Sequence, residues 1–204
     1  MATESLFPRE IETDRLRLVS VAADPPDPLA LYEHCREGAP HVDEITEFLT
    51  WAPHETPRVT AEFLEHAAEA HREGEAAHYV VRPRDGEDGT GEIAGMTGFE
   101  VDWDRRSAEF GIWLREPFWG RGYSGERAAA LFEVVFDRLD LDLVAIPVHR
   151  GNEQSLSAVR RYVDAHGGQH EGLFRHYCLD GDGEPFDAER FSVTAEQYRD
   201  ATGE

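Results

Sequence analysis

Residues 119–125 read Trp119-Gly120-Arg121-Gly122-Tyr123-Ser124-Gly125. They lie between an alternating, strand-like stretch (Glu109-Phe110-Gly111-Ile112-Trp113-Leu114) and an amphipathic, helix-like pattern over 124–139. A glycine-rich turn that opens a helix builds an anion site. Glycines let the backbone turn tightly and approach a ligand closely. The free N–H groups of the first helical turn, with roughly half a positive charge from the helix dipole, then hold the anion. Arg121 adds a fixed cation in an acidic chain. The segment predicts binding of a phosphate or pyrophosphate.

Gly120, Gly122 and Gly125 also satisfy the G-x-G-x-x-G dinucleotide pattern. A dinucleotide fold places that turn after its first strand, with an acidic residue ending the next strand. Here the next strand, 143–148, ends in His149-Arg150, and Asp140 and Asp142 precede it. Only one more helix and a hairpin fit in the remaining chain. An NADP-dependent oxidoreductase, with Arg150 meeting a 2′-phosphate, is therefore the weaker reading.

The chain resembles the GNAT superfamily of N-acetyltransferases, and within it the RimJ/RimL branch. The superfamily motif runs Gln/Arg-x-x-Gly-x-Gly/Ala, and the branch commonly opens it with Trp, Gly, a basic residue, Gly and an aromatic. Trp119-Gly120-Arg121-Gly122-Tyr123-Ser124 matches. Glu12-Thr13-Asp14-Arg15-Leu16-Arg17-Leu18 resembles the branch's first strand, Ala108-Glu109-Phe110-Gly111-Ile112-Trp113-Leu114 its fourth, and Asn152-Glu153-Gln154-Ser155 the start of its last long helix. The matches span about 9–198, in the expected order, within a single domain over 1–204. One departure is that Gly167-Gly168 follows Ser155 later than the family's Gly-Phe and lacks the aromatic.

The resemblance implies a mixed α/β fold: a central, mostly antiparallel twisted sheet whose fourth and fifth strands are parallel and splayed, with helices on both faces. It implies direct transfer of acetyl from acetyl-CoA to a primary amine, either a protein N-terminus or a small amine. Gly120, Arg121, Gly122, Tyr123, Ser124 and Gly125 would hold the pyrophosphate. The backbone of Ile112, Trp113 and Leu114 would pair with the pantetheine arm, and Asn152 would bond it from the other side. An amine with a pKa of about 8 to 10.4 must lose a proton. Glu109 is the candidate base, acting through water, with His149 and Asp102 as rivals. Ser155 is the candidate partner of the leaving thiolate, and Tyr162 the alternative. A non-catalytic acyl-CoA-binding module remains the other reading, because the proton-transfer residues are the least specified part.

Charge narrows the setting. There are 42 acidic and 20 basic residues, a net of −22, and every basic residue is Arg. The acids are spread along the chain, which argues against a disordered acidic tail. Concentrated salt screens such self-repulsion, so an extremely halophilic source is expected; a GC-rich mesophile would also favour Arg. Nucleic-acid binding by phosphate neutralisation is not expected. No apolar run is long enough to span a membrane, and residues 1–8 lack the features of a signal peptide. Two cysteines, Cys35 and Cys178, make no disulfide framework and suit a reducing cytoplasm. His66 and His71 are five apart and His166 and His170 straddle two glycines, so no metal site is expected. A homodimer is left open.

Along the chain, strands are expected over 16–21, 78–83, 93–101, 107–114, 143–148, 173–179 and 189–193. Helices are expected over 29–36, 42–49, 57–73, 124–139 and 153–166. Thr56-Pro57 marks an N-cap followed by proline. Val59, Phe63, Leu64, Ala67 and Ala70 form one face of the helix it opens, and Ala128, Leu131, Val135 and Leu139 a stripe on the helix after the glycine turn.

Overall fold

The computed structural model describes residues 6–203; residue 204 and residues 1–5, part of the 1–8 stretch read above, lie outside the described residues. The strands are β1 (Glu10–Glu12), β2 (Leu16–Ser20), β3 (Ala76–Pro83), β4 (Gly95–Asp102), β5 (Ser107–Leu114), β6 (Leu143–His149), β7 (Gln169–Leu179) and β8 (Pro185–Thr194). The helices are α1 (Pro28–Cys35), α2 (Val42–Thr46), α3 (Pro57–Glu73), α4 (Tyr123–Glu133), α5 (Glu153–Ala165) and α6 (Ala195–Thr202). The strands make one sheet in the order β1-β2-β3-β4-β5-β6-β8-β7. Neighbours are antiparallel except β5 and β6, which are parallel. The short edge strand β1 was not anticipated, so the parallel pair expected as fourth and fifth is fifth and sixth.

Alternation along the strands sorts side chains between two cores. From β3, Ala77, Tyr79 and Val81 enter the core shared with α4 and α5, while Val80 joins Leu31, Cys35, Leu64 and Ala67 beneath α1 and α3. Helices therefore cover both faces. Among the described residues no helix is long and apolar enough to cross a membrane.

Pro57 opens α3 as expected, and Gly74, at φ 78°, closes it by donating to the carbonyls of Ala70 and His71. Thr56 is extended but its side chain makes no capping bond. Val59 is exposed, and Thr60 replaces it on the buried face. The helical stretch after the glycine turn switches at Val134–Arg138 to a wider π-turn, which brings Val134, Val135 and Phe136 into the core in succession. The unforeseen α6 begins with a reciprocal capping box between Thr194 and Gln197.

Candidate active site

The glycine turn sits where β5 runs out. Trp119 Nε1–H donates to the Leu114 carbonyl at 2.7 Å, folding the chain back under its own strand. Gly120 and Gly122 then take φ of 72° and 81°, a region that L side chains rarely adopt. The Gly122 carbonyl accepts from the N–H groups of Gly125 and Glu126, so the N–H groups of Tyr123 and Ser124 lie ahead of the first bond of α4 and point outward.

A clasp fixes this turn. Glu126, in the first turn of α4, accepts from Thr13 Oγ1 at 2.5 Å, from the Arg15 N–H at 2.8 Å and from Arg15 Nε at 2.7 Å. Arg15 Nη1 donates to the Arg121 carbonyl at 2.9 Å. Burial pushes the Glu126 carboxyl up, but the bonds from Thr13 and Arg15 and the Arg15 charge outweigh it and hold it below the usual range. Arg121 is braced as well: its guanidinium donates to the Asp88 carbonyl at 2.9 Å and lies over the Phe118 ring. Its cation thus stands beside the turn with part of its donor capacity already used. The Tyr123 side chain is buried, its hydroxyl bonding Glu87 at 2.6 Å, so Tyr123 offers a ligand only its backbone. Ser124 is half-buried at the helix start, and Gly125 lets α4 approach Tyr162 of α5.

The expected splay is present. β5 and β6 pair only at Ser107, Ala108 and Glu109 with Leu143, Val144 and Ala145. Beyond Glu109 the strands part, and β5 from Gly111 through Ile112, Trp113 and Leu114 has no strand on that side. A cavity of about 630 Å³ fills the gap and is lined from both faces of the sheet. Leu31, Trp51 and His54 come from one face, Arg127, Val159 and Tyr162 from the other.

Glu109 stands at the last paired rung. Its neighbours Ala108 and Phe110 enter the α4/α5 core, so alternation turns Glu109 to the opposite face, with Trp113. Its Oε2 accepts a very short bond from the Tyr177 hydroxyl. Burial pushes the Glu109 carboxyl up, helped by the facing Glu100 and opposed by the Tyr177 bond and the Arg190 charge. A Cβ on Gly111 would meet nothing within 4 Å, so space lies open beside the carboxylate. A half-buried carboxylate of raised pKa at a cavity wall suits a general base.

Asn152 caps α5, its Oδ1 accepting the Ser155 N–H at 2.9 Å; only its amide donors remain for a ligand. Ser155 lines the cavity half-buried. The rivals for the base are placed less well. His149 is sandwiched between Phe48 and Phe186, at 4.9 and 4.8 Å, and its Nδ1 accepts the Gly151 N–H. Asp102 lies outside this cavity at the β4–β5 hairpin, where it caps Arg105.

Three features escaped the sequence reading. Tyr177 is aimed at Glu109 by a register shift between Phe174 and Cys178, with His176 at φ 48°; bulges of this kind redirect side chains. Arg127 is four residues past Tyr123 and four before Leu131, on the buried stripe itself, and a charge in that slot was the available signal. The third is a roof: a Cβ on Gly181, in the β7–β8 turn, would come within 2.5 Å of the Ala52 nitrogen and 2.6 Å of the Trp51 carbonyl carbon. The hairpin thus crosses to the 48–54 segment over the cavity. Cys35 and Cys178 both line the cavity and are unbridged. Among the described residues no cluster is arranged to hold a metal ion.

The profile of the GNAT acetyltransferase domain matches residues 15–162, more than half of the chain. A curated relative, the uncharacterized N-acetyltransferase p20 of Bacillus licheniformis, is 24% identical over 156 residues, covering 76% of this chain and 83% of that protein. Among solved structures, a GCN5-related N-acetyltransferase from Brucella melitensis superposes with a TM-score of 0.76 at 20% identity, covering 97% and 84% of the two chains. The microcin C7 self-immunity acetyltransferase MccE, solved with acetyl-CoA and AMP, gives 0.76 at 18% identity, covering 94% and 99%. RimL, a ribosomal L7/L12 α-N-protein acetyltransferase solved with coenzyme A, gives 0.75 at 21%, covering 91% and 97%. At these identities the structural likeness shows a shared fold.

Proposed function

The chain belongs to the GNAT acetyltransferase family, and from that premise we propose that this acyl-CoA-dependent N-acetyltransferase moves an acetyl group from acetyl-CoA to a primary amine by direct attack, as a single domain. The observation that carries the reading is the splay beyond Glu109 and Ala145, with the Glu109 carboxylate on one face of the gap and the glycine turn tied to the far end of β5. The residues present suit the donor molecule: outward N–H groups follow two left-handed glycines for a pyrophosphate, and the unpaired edge of Ile112, Trp113 and Leu114 offers backbone partners to an amide-bearing arm, with the Asn152 amide opposite.

Glu109 takes the amine's proton, through a water in the space beside Gly111. The amine nitrogen bonds to the thioester carbon, the C–S bond breaks with its electron pair on sulfur, and an amide results. Ser155, on the cavity wall, hydrogen-bonds the departing sulfur. Neutralising charge in a water-poor gap is worth more than in solution.

The acceptor reading is a small amine. The contact of Gly181 with Trp51 and Ala52 carries it, because a strap across the groove narrows the way in for an extended polypeptide. The cavity beneath is rich in aromatic rings, among them Trp51, Phe63 and Trp113, which favour the alkyl or ring portion of an amine and its cation. A protein N-terminus, RimL's kind of substrate, is the alternative. Calorimetric titration in concentrated KCl tests the donor: acetyl-CoA binds and NADPH does not, and the reverse would overturn the family chemistry. Turnover with small amines but not with N-terminal peptides tests the acceptor; faster turnover of peptides would overturn it.

We also infer a protein adapted to concentrated salt and working in the cytoplasm. The charge of −22 supports the first, the free thiols of Cys35 and Cys178 the second. Recovery of the protein outside the cytoplasm on cell fractionation would refute that location.

A further inference from the structure

Arg127 is among the largest fully buried side chains of the protein, only 1% exposed. It leaves α4 toward α5 and lies between the rings of Phe110 and Tyr162, its guanidinium carbon 5.7 Å from each centroid. Among the described residues no carboxylate stands within ion-pair distance of it, and neither Nε nor Nη1 has a hydrogen-bond partner. The Tyr162 hydroxyl, on a residue 4% exposed, is also unpartnered. The two groups lie close enough that each favours the other's charged form, and among the described residues no third group partners Nε, Nη1 or the hydroxyl. Burial pushes the Tyr162 phenol up, so it is neutral at working pH and supplies no counter-charge. A desolvated cation without an anion is strongly unfavourable; both groups line the cavity, and a ligand anion there would satisfy both.

The position says which anion. Glu109 faces the α1/α3 side of the gap, whereas Arg127 and Tyr162 belong to the α4/α5 side, where the glycine turn lies. Side chains on a helix lean toward its N-terminus, so Tyr162 is directed back along α5 toward Ser155 and Asn152, which line the same wall. We propose that Arg127, with Tyr162 beside it, holds the sulfur of the acyl donor as it becomes a thiolate. This rests on the acyl-CoA reading above. The amine attacks from the Glu109 face, the C–S pair retires onto sulfur on the Arg127 face, and Glu109 carries away the proton the amine loses. Base and leaving group are thereby served from opposite sides of one sheet.

Arg127→Met, Arg127→Lys and Tyr162→Phe test this, each checked for folding by circular dichroism and for acetyl-CoA affinity by calorimetry. The readout is the ultraviolet absorbance of the CoA thiolate in the bound complex against pH, with the desulfo-CoA complex as blank. In the wild type the bound thiol titrates below the ordinary thiol value of about 8.5. Arg127→Met raises that midpoint by a pH unit or more and lowers kcat about 100-fold, with acetyl-CoA affinity nearly unchanged; Arg127→Lys restores part of both. Should Arg127→Met not fold, Tyr162→Phe, which removes one oxygen, carries the test by raising the midpoint. Equal midpoints in wild type and variants, with CoA bound, would overturn the proposal. A loss confined to a carboxylate-bearing donor such as succinyl-CoA would also overturn it, by placing the cation's partner on the acyl chain. Failure of the wild type to bind CoA at all would bring down the acyl-CoA reading and this proposal with it.

Discussion

Gly181→Ala probes the roof directly. The added Cβ would stand 2.5 Å from the Ala52 nitrogen and 2.6 Å from the Trp51 carbonyl carbon, where ordinary contact begins at 3.4 Å. The difference, 3.4 − 2.5, is 0.9 Å, and both atoms are backbone, so no side chain can swing aside. The hairpin or the 48–54 segment must retreat by about that distance. Overpacking of this kind costs about 1–3 kcal/mol, against a total stability of about 5–15 kcal/mol, so the variant stays folded with a lowered melting temperature. The kinetic effect is larger. Displacing a substrate-positioning wall by about 1 Å costs on the order of 100-fold, or about 2.8 kcal/mol in kcat/KM for the amine. The proposed donor site lies toward the α4/α5 side of the sheet, so acetyl-CoA affinity stays at the wild-type value. Steady-state kinetics with a small amine, beside calorimetry and a melting curve, measures all three. A kcat/KM within twofold of wild type, in a variant whose melting temperature has fallen, would show that the roof does not shape the acceptor site.

Gly122→Val forces a β-branched residue to φ 81°, a strain of about 1–3 kcal/mol, while its Cβ meets only Arg15 Nη2 at an ordinary 3.5 Å; acetyl-CoA affinity measured by calorimetry falls at least tenfold, and normal affinity refutes the cradle. Glu109→Gln lowers turnover by about 100-fold or more and abolishes the acidic limb of the kcat/KM profile; unchanged turnover would remove Glu109 from the mechanism and favour a binding module. The same substitution alters stability against pH. Burial raises the Glu109 carboxyl, so the folded state holds this proton more tightly than the unfolded state; stability from this group is complete below the ordinary carboxylate pKa and is lost as pH rises through the raised value. Glu109→Gln therefore gains stability relative to wild type above that window, and thermal melts from pH 4 to 8 would show otherwise if the carboxylate were well solvated. With a net charge of −22, the melting temperature rises with KCl; indifference to salt would refute adaptation to brine.

Local signals were legible, and distant ones were not. The Thr56-Pro57 start of α3, the glycine turn, and the alternation of β5 are written in adjacent residues, so their positions were readable. The capping box that opens α6 was equally local, Thr194 to Gln197, and went unread. The Tyr177–Glu109 bond depends on a bulge near His176, and bulges leave little trace in alternation. The meeting of Gly181 with Trp51 joins segments 130 positions apart (181 − 51), and no pattern within either segment announces it. Arg127 shows the boundary between the two cases: it stands at helical spacing between Tyr123 and Leu131, but a charge there reads as a surface residue until the cavity beside it is seen.

The Glu126 clasp has a consequence for how the protein is born. Thr13 and Arg15 meet Glu126 across 113 and 111 residues of chain. Closing so long a loop is slow compared with forming a helix. As the polypeptide emerges, the turn between β1 and β2 must wait for α4 before Thr13 and Arg15 can grip Glu126, and the two glycines are unbraced until then. The glycine turn is thus among the later parts of the molecule to acquire its form.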